Sequence, residues 1–447
     1  MKITFIIASI GKQEHGRYVR SWIMEPLSMA VLSSLTPASI NRVFYDDRIE
    51  DIPFDDETDL VAINIETYTA ARGYQIASKY RKRNIKVVLG GFHATLMPDE
   101  ASLHADAVLI GEAEGVWSQL LEDLKKNKLK KTYEREKGSA IEYVIPDRSI
   151  FHGKKYPKIS LVETGRGCMF GCEFCSVTHF FKKSYHPRPL DIIVKEIKQL
   201  HNKIVFFVDD NIGSDRKRAR ELFNALIPLK IYWISQVSMD ICNDEELLKL
   251  MKKSGCQGVL IGFESLDSDV LTRMGKGVNR AIKSYDYVVK KLHSYNIEIY
   301  ATFVMGYGET KKVFQDTLRF GVRNKLLYLA FNHLVPFPGT PIYAKLESER
   351  RLLYKKWWLE PGYRFGDVAF HPTNMSSSEL TNLCLSYRYK FFNLRSILRR
   401  LLNRVHWANH IKIQAYAILN FMANHETTTR RSLLIGGAPN LIKKNHE

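Results

Sequence analysis

The sequence predicts an α/β chain in three parts: an N-terminal doubly wound domain, a partial barrel of six βα units, and a helical C-terminal domain. Three observations predict it. Apolar runs of strand length alternate with helix-period segments over the first 125 residues. The alternation breaks in a Lys-rich stretch and restarts at Ile159. Beyond Leu346 an irregular segment with Trp357, Trp358, Pro361 and Pro372 leads into helical stretches. The implied boundaries are 1–140, 155–346 and 347–447, in keeping with about three domains for 447 residues.

In the first part, strands are expected at Ile3–Ala8, Val43–Tyr45, Leu60–Ile65, Val87–Leu89 and Ala107–Ile110, with helices near Leu27–Leu35, Ala70–Lys82 and Val116–Leu124. Such alternation means a parallel sheet covered on both faces. Lys125 to Lys158, with Pro146, Gly153 and Pro157, reads as the inter-domain connection. In the second part, strands are expected at Ile159–Glu163, Ile204–Val208, Ile231–Ser235, Gly258–Phe263, Ile297–Met305 and Tyr328–Val335. One helix is well signalled: Asn243 caps it, Glu246 stands three residues on, and Gly255 ends it. Six such units with no doubly wound order suggest a barrel, whose chemistry belongs at the C-terminal ends of its strands. In the third part, helices are expected at Ser378–Phe392, Ser396–Arg404 and Ile411–Met422, with a frayed tail from Thr427.

Composition narrows the function classes. At 45% hydrophobic and 26% charged residues the chain is globular and not disordered. No uninterrupted apolar run reaches the 18 or so residues of a membrane span, and the N-terminal run reads as a strand and not a signal peptide, so a cytoplasmic protein is expected. The net charge is +18, and the last 62 residues carry eleven Lys or Arg against two acidic residues, a net +9. Leu394, Ile397, Leu398, Leu401, Leu402 and Val405 form an apolar stripe interleaved with Arg395, Arg399, Arg400 and Arg404. The pattern fits a helix lying on an anionic membrane surface, and equally a helix packed on the barrel with a solvated Arg face. No RNA-binding module accompanies the charge, so no nucleic-acid partner is expected.

Six cysteines are too few for a disulfide scaffold, but three fall within eight residues: Cys168, Cys172 and Cys175, directly after a strand. Soft thiolates select zinc or iron–sulfur. A structural zinc site needs four ligands, and only His179 stands near enough to be recruited. Three thiolates on a cubane cluster instead leave one iron open. Incidental thiols are the plain alternative. Cys242, Cys256 and Cys384 are isolated and read as core thiols.

Cys-x3-Cys-x-aromatic-Cys after the first strand of a βα barrel resembles the signature of radical S-adenosylmethionine (radical SAM) enzymes. The resemblance implies that Cys168, Cys172 and Cys175 ligate a [4Fe–4S] cluster whose open iron binds S-adenosylmethionine, and that the backbone of Phe174 contacts adenine. It implies one-electron cleavage to a deoxyadenosyl radical that abstracts hydrogen from substrate, with electrons from a flavodoxin- or ferredoxin-type donor. Further strand-end motifs match the family. Phe207-Val208-Asp209-Asp210-Asn211 stands where a Gly-Gly-Glu-like element binds the methionine amino group, which points to Asp210. Ser235-Gln236-Val237-Ser238 and Gly262-Phe263-Glu264-Ser265 stand where polar residues meet ribose or carboxylate, pointing to Ser235 and Glu264. Turn-capping by the aspartates and pairing of Glu264 with a Lys or Arg are the structural alternatives. Phe303 to Glu309 resembles the family's Gly-x-Ile-x-Gly-x-x-Glu strand, with Phe303 in place of the first Gly, and Pro336 to Pro341 its Thr/Pro-rich turn.

The first part adds a second resemblance. Gly90-Gly91-Phe92-His93-Ala94-Thr95 and Gly111-Glu112-Ala113-Glu114 follow adjacent strands and look like the cradle of the Rossmann-like cobalamin-binding domain fused ahead of many radical SAM enzymes. This implies cofactor contacts at Gly90, Gly91 and Gly111. The Asp-x-His-x-x-Gly motif that supplies an axial histidine elsewhere is absent, and His93 reads as a loop histidine with local partners. Lys182 to Leu190 and the helix after it also resemble the branch that includes hopanoid and bacteriochlorophyll methylases. The implied activity is a cobalamin-dependent C-methyltransferase acting on an unactivated carbon of an apolar or lipid-like substrate. The alternatives are a radical cyclase, rearrangement or oxidation enzyme, and a non-enzymatic iron–sulfur protein at a membrane surface. No catalytic residue is singled out.

Overall fold

The computed structural model describes residues 1–11, 23–136, 141–280, 282–431 and 433–437. They form two compact units that share the chain in alternation. The first comprises Met1–Pro157, Tyr354–Phe365 and the segment from Thr429, the second Lys158–Leu353 and Gly366–Thr428.

The first unit is built on a six-stranded parallel sheet: β1 (Lys2–Ile7), β2 (Asn41–Asp46), β3 (Leu60–Asn64), β4 (Lys86–Gly90), β5 (Ala107–Ile110) and β6 (Thr132–Glu134). Their order is 2-1-3-4-5-6, a doubly wound sheet whose direction reverses between β1 and β3. Every expected strand is present. β6 is an addition: it lies in the stretch read as a connection, where a three-residue edge strand leaves no periodicity to detect. Trp117, Phe5, Leu120 and their neighbours fill one core layer.

The second unit carries β7 (Ser160–Val162), the short antiparallel pair β8 (Gly165–Gly167) and β9 (Tyr185–Pro187), and then β10 (Ile204–Phe207), β11 (Tyr232–Gln236), β12 (Cys256–Glu264), β13 (Glu298–Met305) and β14 (Tyr328–His333). Strands β7 and β10–β14 run side by side in chain order, all parallel, as an open six-stranded partial barrel. Alternate residues such as Trp233, Phe263 and Phe303 are fully buried against the helix layer, while Ile234, Leu260 and Thr302 on the opposite face are only part-buried. The signalled helix spans Glu245–Lys253, and its cap is Asp244, which accepts from Leu247 N–H, and not Asn243.

The helical C-terminal segment is present, at Ser377–Phe391, Leu394–Arg400 and His410–Arg431, but it does not stand as a third body. Phe391, Phe392 and Tyr416 join the barrel core, and Tyr387 packs at a tilt beside Phe314 and Phe331. The third helix also runs past the expected end at Met422. Residues 438–447, part of the tail expected to fray, lie outside the described residues. Trp357 and Trp358, in the segment read as irregular, are fully buried in the first unit. Arg400 corrects the reading of the basic helix. It is fully buried, with Nη1 donating to the carbonyls of Leu326 and Leu327, Nη2 to Phe391 O and Asn420 Oδ1, and its guanidinium 3.9 Å from the Phe391 ring centroid. The guanidinium thus ties the last helices to the start of β14, and only Arg395, Arg399 and Arg404 remain as surface charges.

Candidate active site

The three clustered thiols sit on the loop between β8 and the helix Ser176–Phe180, just beyond the C-terminal end of β7. The loop is fixed by its own backbone. Gly167 has φ 85°, and a Cβ there would meet Ser184 O at 2.2 Å, so only glycine allows the chain to enter the loop. Thr178 Oγ1 donates to Phe170 O, and Glu173 N–H donates to Met274 O. Gly275 closes against the same loop, where a Cβ would lie 3.4 Å from Gly171 O.

Burial pushes the Cys172 thiol up to about 11, against the pull of Lys276. Burial raises Cys168 as well. Such thiols become thiolates when a metal displaces their protons. Among the described residues no three His, Cys, Asp or Glu side chains are gathered as a single metal ion requires. A tetrahedral zinc with bonds of about 2.3 Å needs its sulfurs in near contact. Among the described residues no such ligand set is assembled around His179, and a cubane takes its thiolates at separate corners.

Lys276 is the principal residue that sequence reasoning missed. Its Nζ lies 2.9 Å from Glu264 Oε1 and 5.9 Å from the Phe174 ring centroid. Burial disfavours its charge, but the Glu264 carboxylate that accepts its hydrogen bond is the main influence that offsets burial and holds the ammonium protonated. Glu264 is itself buried and adopts φ 61°, rare for a non-glycine residue, at a register irregularity that ends β12. Asn279 and Tyr285 support that bend by donating to the Phe263 carbonyl. Pairing with a lysine is therefore the observed state of Glu264. It places a cation and a carboxylate together beside the cysteine loop.

The remaining predicted residues separate into those that face this site and those that do not. Phe174 is half-buried and lies edge-to-face with Tyr307 at 6.5 Å. Asp210 accepts from Gly167 N–H, at the entry to the loop. Asp209 is wholly buried and receives Thr164 N–H and Oγ1–H, and burial pushes its carboxyl up to about 7. Asn211 braces Ser238. These two are the structural members of the acidic motif. Ser235 is fully buried on the helix-facing side, donating to Phe207 O, whereas its neighbour Gln236 is exposed at the end of the strand. Successive strand residues face opposite ways, so Ser235 and Gln236 lie on opposite faces of β11. Phe303 stacks on Phe263 in the core at 5.7 Å, so its departure from glycine falls away from the site.

The buried Tyr307 hydroxyl, beside Phe174 of the loop, and Glu309 Oε1, two residues further along the chain, have no partner among the described residues. Glu309 Oε2 accepts from Gly306 N–H. Buried polar atoms without partners are rare and costly, and such atoms fit a polar ligand. Together with the thiols and the Lys276–Glu264 pair, they suit an iron–sulfur cluster and a zwitterionic amino-acid cofactor.

In the first unit, Gly90 ends β4, Gly91 follows it, and Gly111 follows β5. Gly91 has φ 101°, and a Cβ there would meet Asn64 Oδ1 at 2.5 Å. Gly111 has φ 79° and open space where a Cβ would stand. Thr95 Oγ1 accepts from Gly111 N–H and joins the two turns. His93 is fully buried, with Nδ1 3.3 Å from Thr67 Oγ1 and Nε2 3.1 Å from Glu100 Oε1. It has local partners, as expected, but it stands in the short helix Phe92–Leu96 and not in a loop.

Comparison with known proteins agrees with this geometry. Residues 162–321 match the Radical SAM superfamily. Bacteriochlorophyllide d C-12(1)-methyltransferase of Chlorobaculum tepidum is 30% identical over 390 residues, covering 84% of both chains. Hopanoid C-2 methylase of Rhodopseudomonas palustris is 23% identical over 349 residues, covering 74% of this chain and 66% of its own. The solved structure of OxsB, a cobalamin-dependent S-adenosylmethionine radical enzyme, superposes with a TM-score of 0.64 at 15% identity, over 96% of this chain and 71% of that one, a likeness of fold. From its cysteine loop, its strand-end motifs and these relatives, the chain belongs to the radical SAM superfamily of enzymes, in the family of the bacteriochlorophyllide d methyltransferases.

Proposed function

We propose that the protein is a cobalamin-dependent radical SAM C-methyltransferase acting on an sp3 carbon of an apolar or lipid-like substrate. The observation that carries this reading is the pairing, in one chain, of the thiol loop beside Lys276 and Glu264 with a glycine cradle whose histidine, His93, is bound to its own neighbours. Cys168, Cys172 and Cys175 hold the cluster. Lys276 and Glu264 offer opposite charges to the amino-acid end of S-adenosylmethionine, and Phe174 and Tyr307 flank its nucleoside. Gly90, Gly91 and Gly111 let backbone approach cobalamin without a protein ligand to cobalt. Bound there, these groups supply hydrogen abstraction and the methyl group; the chain's residues bind, orient and exclude water. Reducing electrons come from an external flavodoxin- or ferredoxin-type donor.

The test is anaerobic reconstitution, with iron and cobalt quantified on one sample and product mass measured on candidate apolar substrates. A product heavier by one CH2 supports the reading. Retained iron without cobalt, or a product of altered hydrogen content and no added carbon, overturns methylation in favour of cyclisation, rearrangement or oxidation. His93→Ala should leave the electron paramagnetic resonance of the cobalt unchanged.

A further inference from the structure

The stripe singled out in the basic helix divides in the fold. Ile397, Leu401 and Val405 pack inward on the barrel core or are buried. Leu394, Leu398 and Leu402 form an outer row at four-residue spacing, and they are 71%, 54% and 75% exposed. The helix His410–Arg431 adds Ile418 and Phe421, the latter 82% exposed. The two helices are fastened to each other: Tyr416 Oη donates to Ile397 O, and Arg400 Nη2 donates to Asn420 Oδ1. Trp407, on the turn between them, is half-exposed and donates its indole N–H to Leu401 O. Large apolar side chains left in water in this way mark an interaction surface.

The charge of the same segment selects the partner. From Leu380 to His425 the sequence has seven Lys or Arg and no Asp or Glu. Arg400 and Lys412 are buried, so their charges serve the fold. Lys390, Arg395, Arg399 and Arg404 are exposed, three of them interleaved with the outer leucines. A protein partner of mixed charge would meet cations alone. An anionic bilayer accepts both features at once, with arginines at headgroup depth and leucine, tryptophan and phenylalanine in the acyl boundary. We propose that this face of the C-terminal helices docks the protein reversibly on anionic lipid.

The experiment uses the full chain, purified anaerobically, and flotation with vesicles of phosphatidylcholine alone or mixed equally with phosphatidylglycerol, across a salt series. Wild-type protein should float with the mixed vesicles at low salt, release as salt rises, and bind neutral vesicles weakly. Each arginine near such a surface is worth about fivefold in partitioning. The triple variant Arg395→Gln, Arg399→Gln, Arg404→Gln should therefore lose on the order of 100-fold. The pair Leu398→Ser, Leu402→Ser should also weaken binding, with iron content and circular dichroism unchanged because both side chains lie outside the core. Absence of wild-type binding at low salt, or equal binding by the variants, overturns the proposal. So does a wild-type dimer that the leucine pair splits while neither form binds vesicles, which would assign the face to a second copy.

Discussion

Glu100 is the acceptor on which the histidine turn of the first unit converges. Its Oε1 receives Tyr74 Oη–H at 3.0 Å and Trp358 Nε1–H at 2.9 Å and lies 3.1 Å from His93 Nε2, while Lys356 Nζ lies 2.9 Å from Oε2. Burial alone would raise this carboxyl, but the bonds from His93, Lys356 and Trp358 outweigh burial and hold it at about 2, where 4.5 is usual. That difference corresponds to about 3 kcal/mol of stability at neutral pH. The sign follows from linkage. A carboxylate with a depressed folded pKa contributes fully above its unfolded value and loses that contribution as pH falls through the folded one, here between 4.5 and about 2. Glu100→Gln keeps the shape, but the amide is a weaker acceptor and turns an NH2 group toward a cationic or N–H donor. The expected loss is about 2–3 kcal/mol at pH 7. Thermal unfolding followed by tryptophan fluorescence is a suitable assay, because Trp358 itself reports on the site. The variant should melt lower at neutral pH and converge on wild type in acid. Equal melting at neutral pH, or parallel acid profiles, would refute the argument.

Replacing Cys168, Cys172 or Cys175 singly with Ala should abolish the broad thiolate-to-iron absorption and reductive cleavage of S-adenosylmethionine; a variant that retains both excludes its cysteine as a ligand. Lys276→Met removes a cation beside the cysteine loop and should lower the cluster's reduction potential by on the order of 50–100 mV at an effective dielectric near 20. A redox titration followed by electron paramagnetic resonance measures this, and an unchanged potential would show that Lys276 only pairs with Glu264. Asp209 is protonated in the fold up to about pH 7, so its contribution is complete below the ordinary carboxylate value of 3.8 and declines as pH rises toward 7. Asp209→Asn should flatten that part of the denaturant-midpoint profile, and an unaltered slope would place the titration elsewhere.

The strands and the cysteine loop were legible because their signals are local. An apolar run followed by three closely spaced thiols needs no knowledge of tertiary structure. Lys276 was not legible, because it reaches the loop only through the close approach of Gly275 to Gly171. Ser235 turns on parity: strand ends can be located to within a residue, but one residue changes the face, and the fold places Ser235 on the helix side. Arg400 failed for a different reason. An arginine at helical spacing looks the same whether it meets water or a cage of carbonyls, and only the packing of Phe391 and the start of β14 decides which. Phe303 shows the reverse case. It departs from the family's motif, and it lies on the side of β13 that builds the core.

The chain enters each compact unit more than once, and this governs how the protein is made. During synthesis the six strands of the first sheet emerge early, but Lys356 and Trp358, which complete the environment of Glu100, follow only after the whole barrel sheet. Stretches of the nascent first unit must therefore wait, unfinished, while the second begins to form, and N-terminal-first folding is denied to it. A fragment ending near residue 346 should consequently be poorly soluble, lacking both the tryptophans that close one unit and the helices that cover the other. Limited proteolysis of the intact chain should likewise yield nicked products that stay associated and not two separable halves.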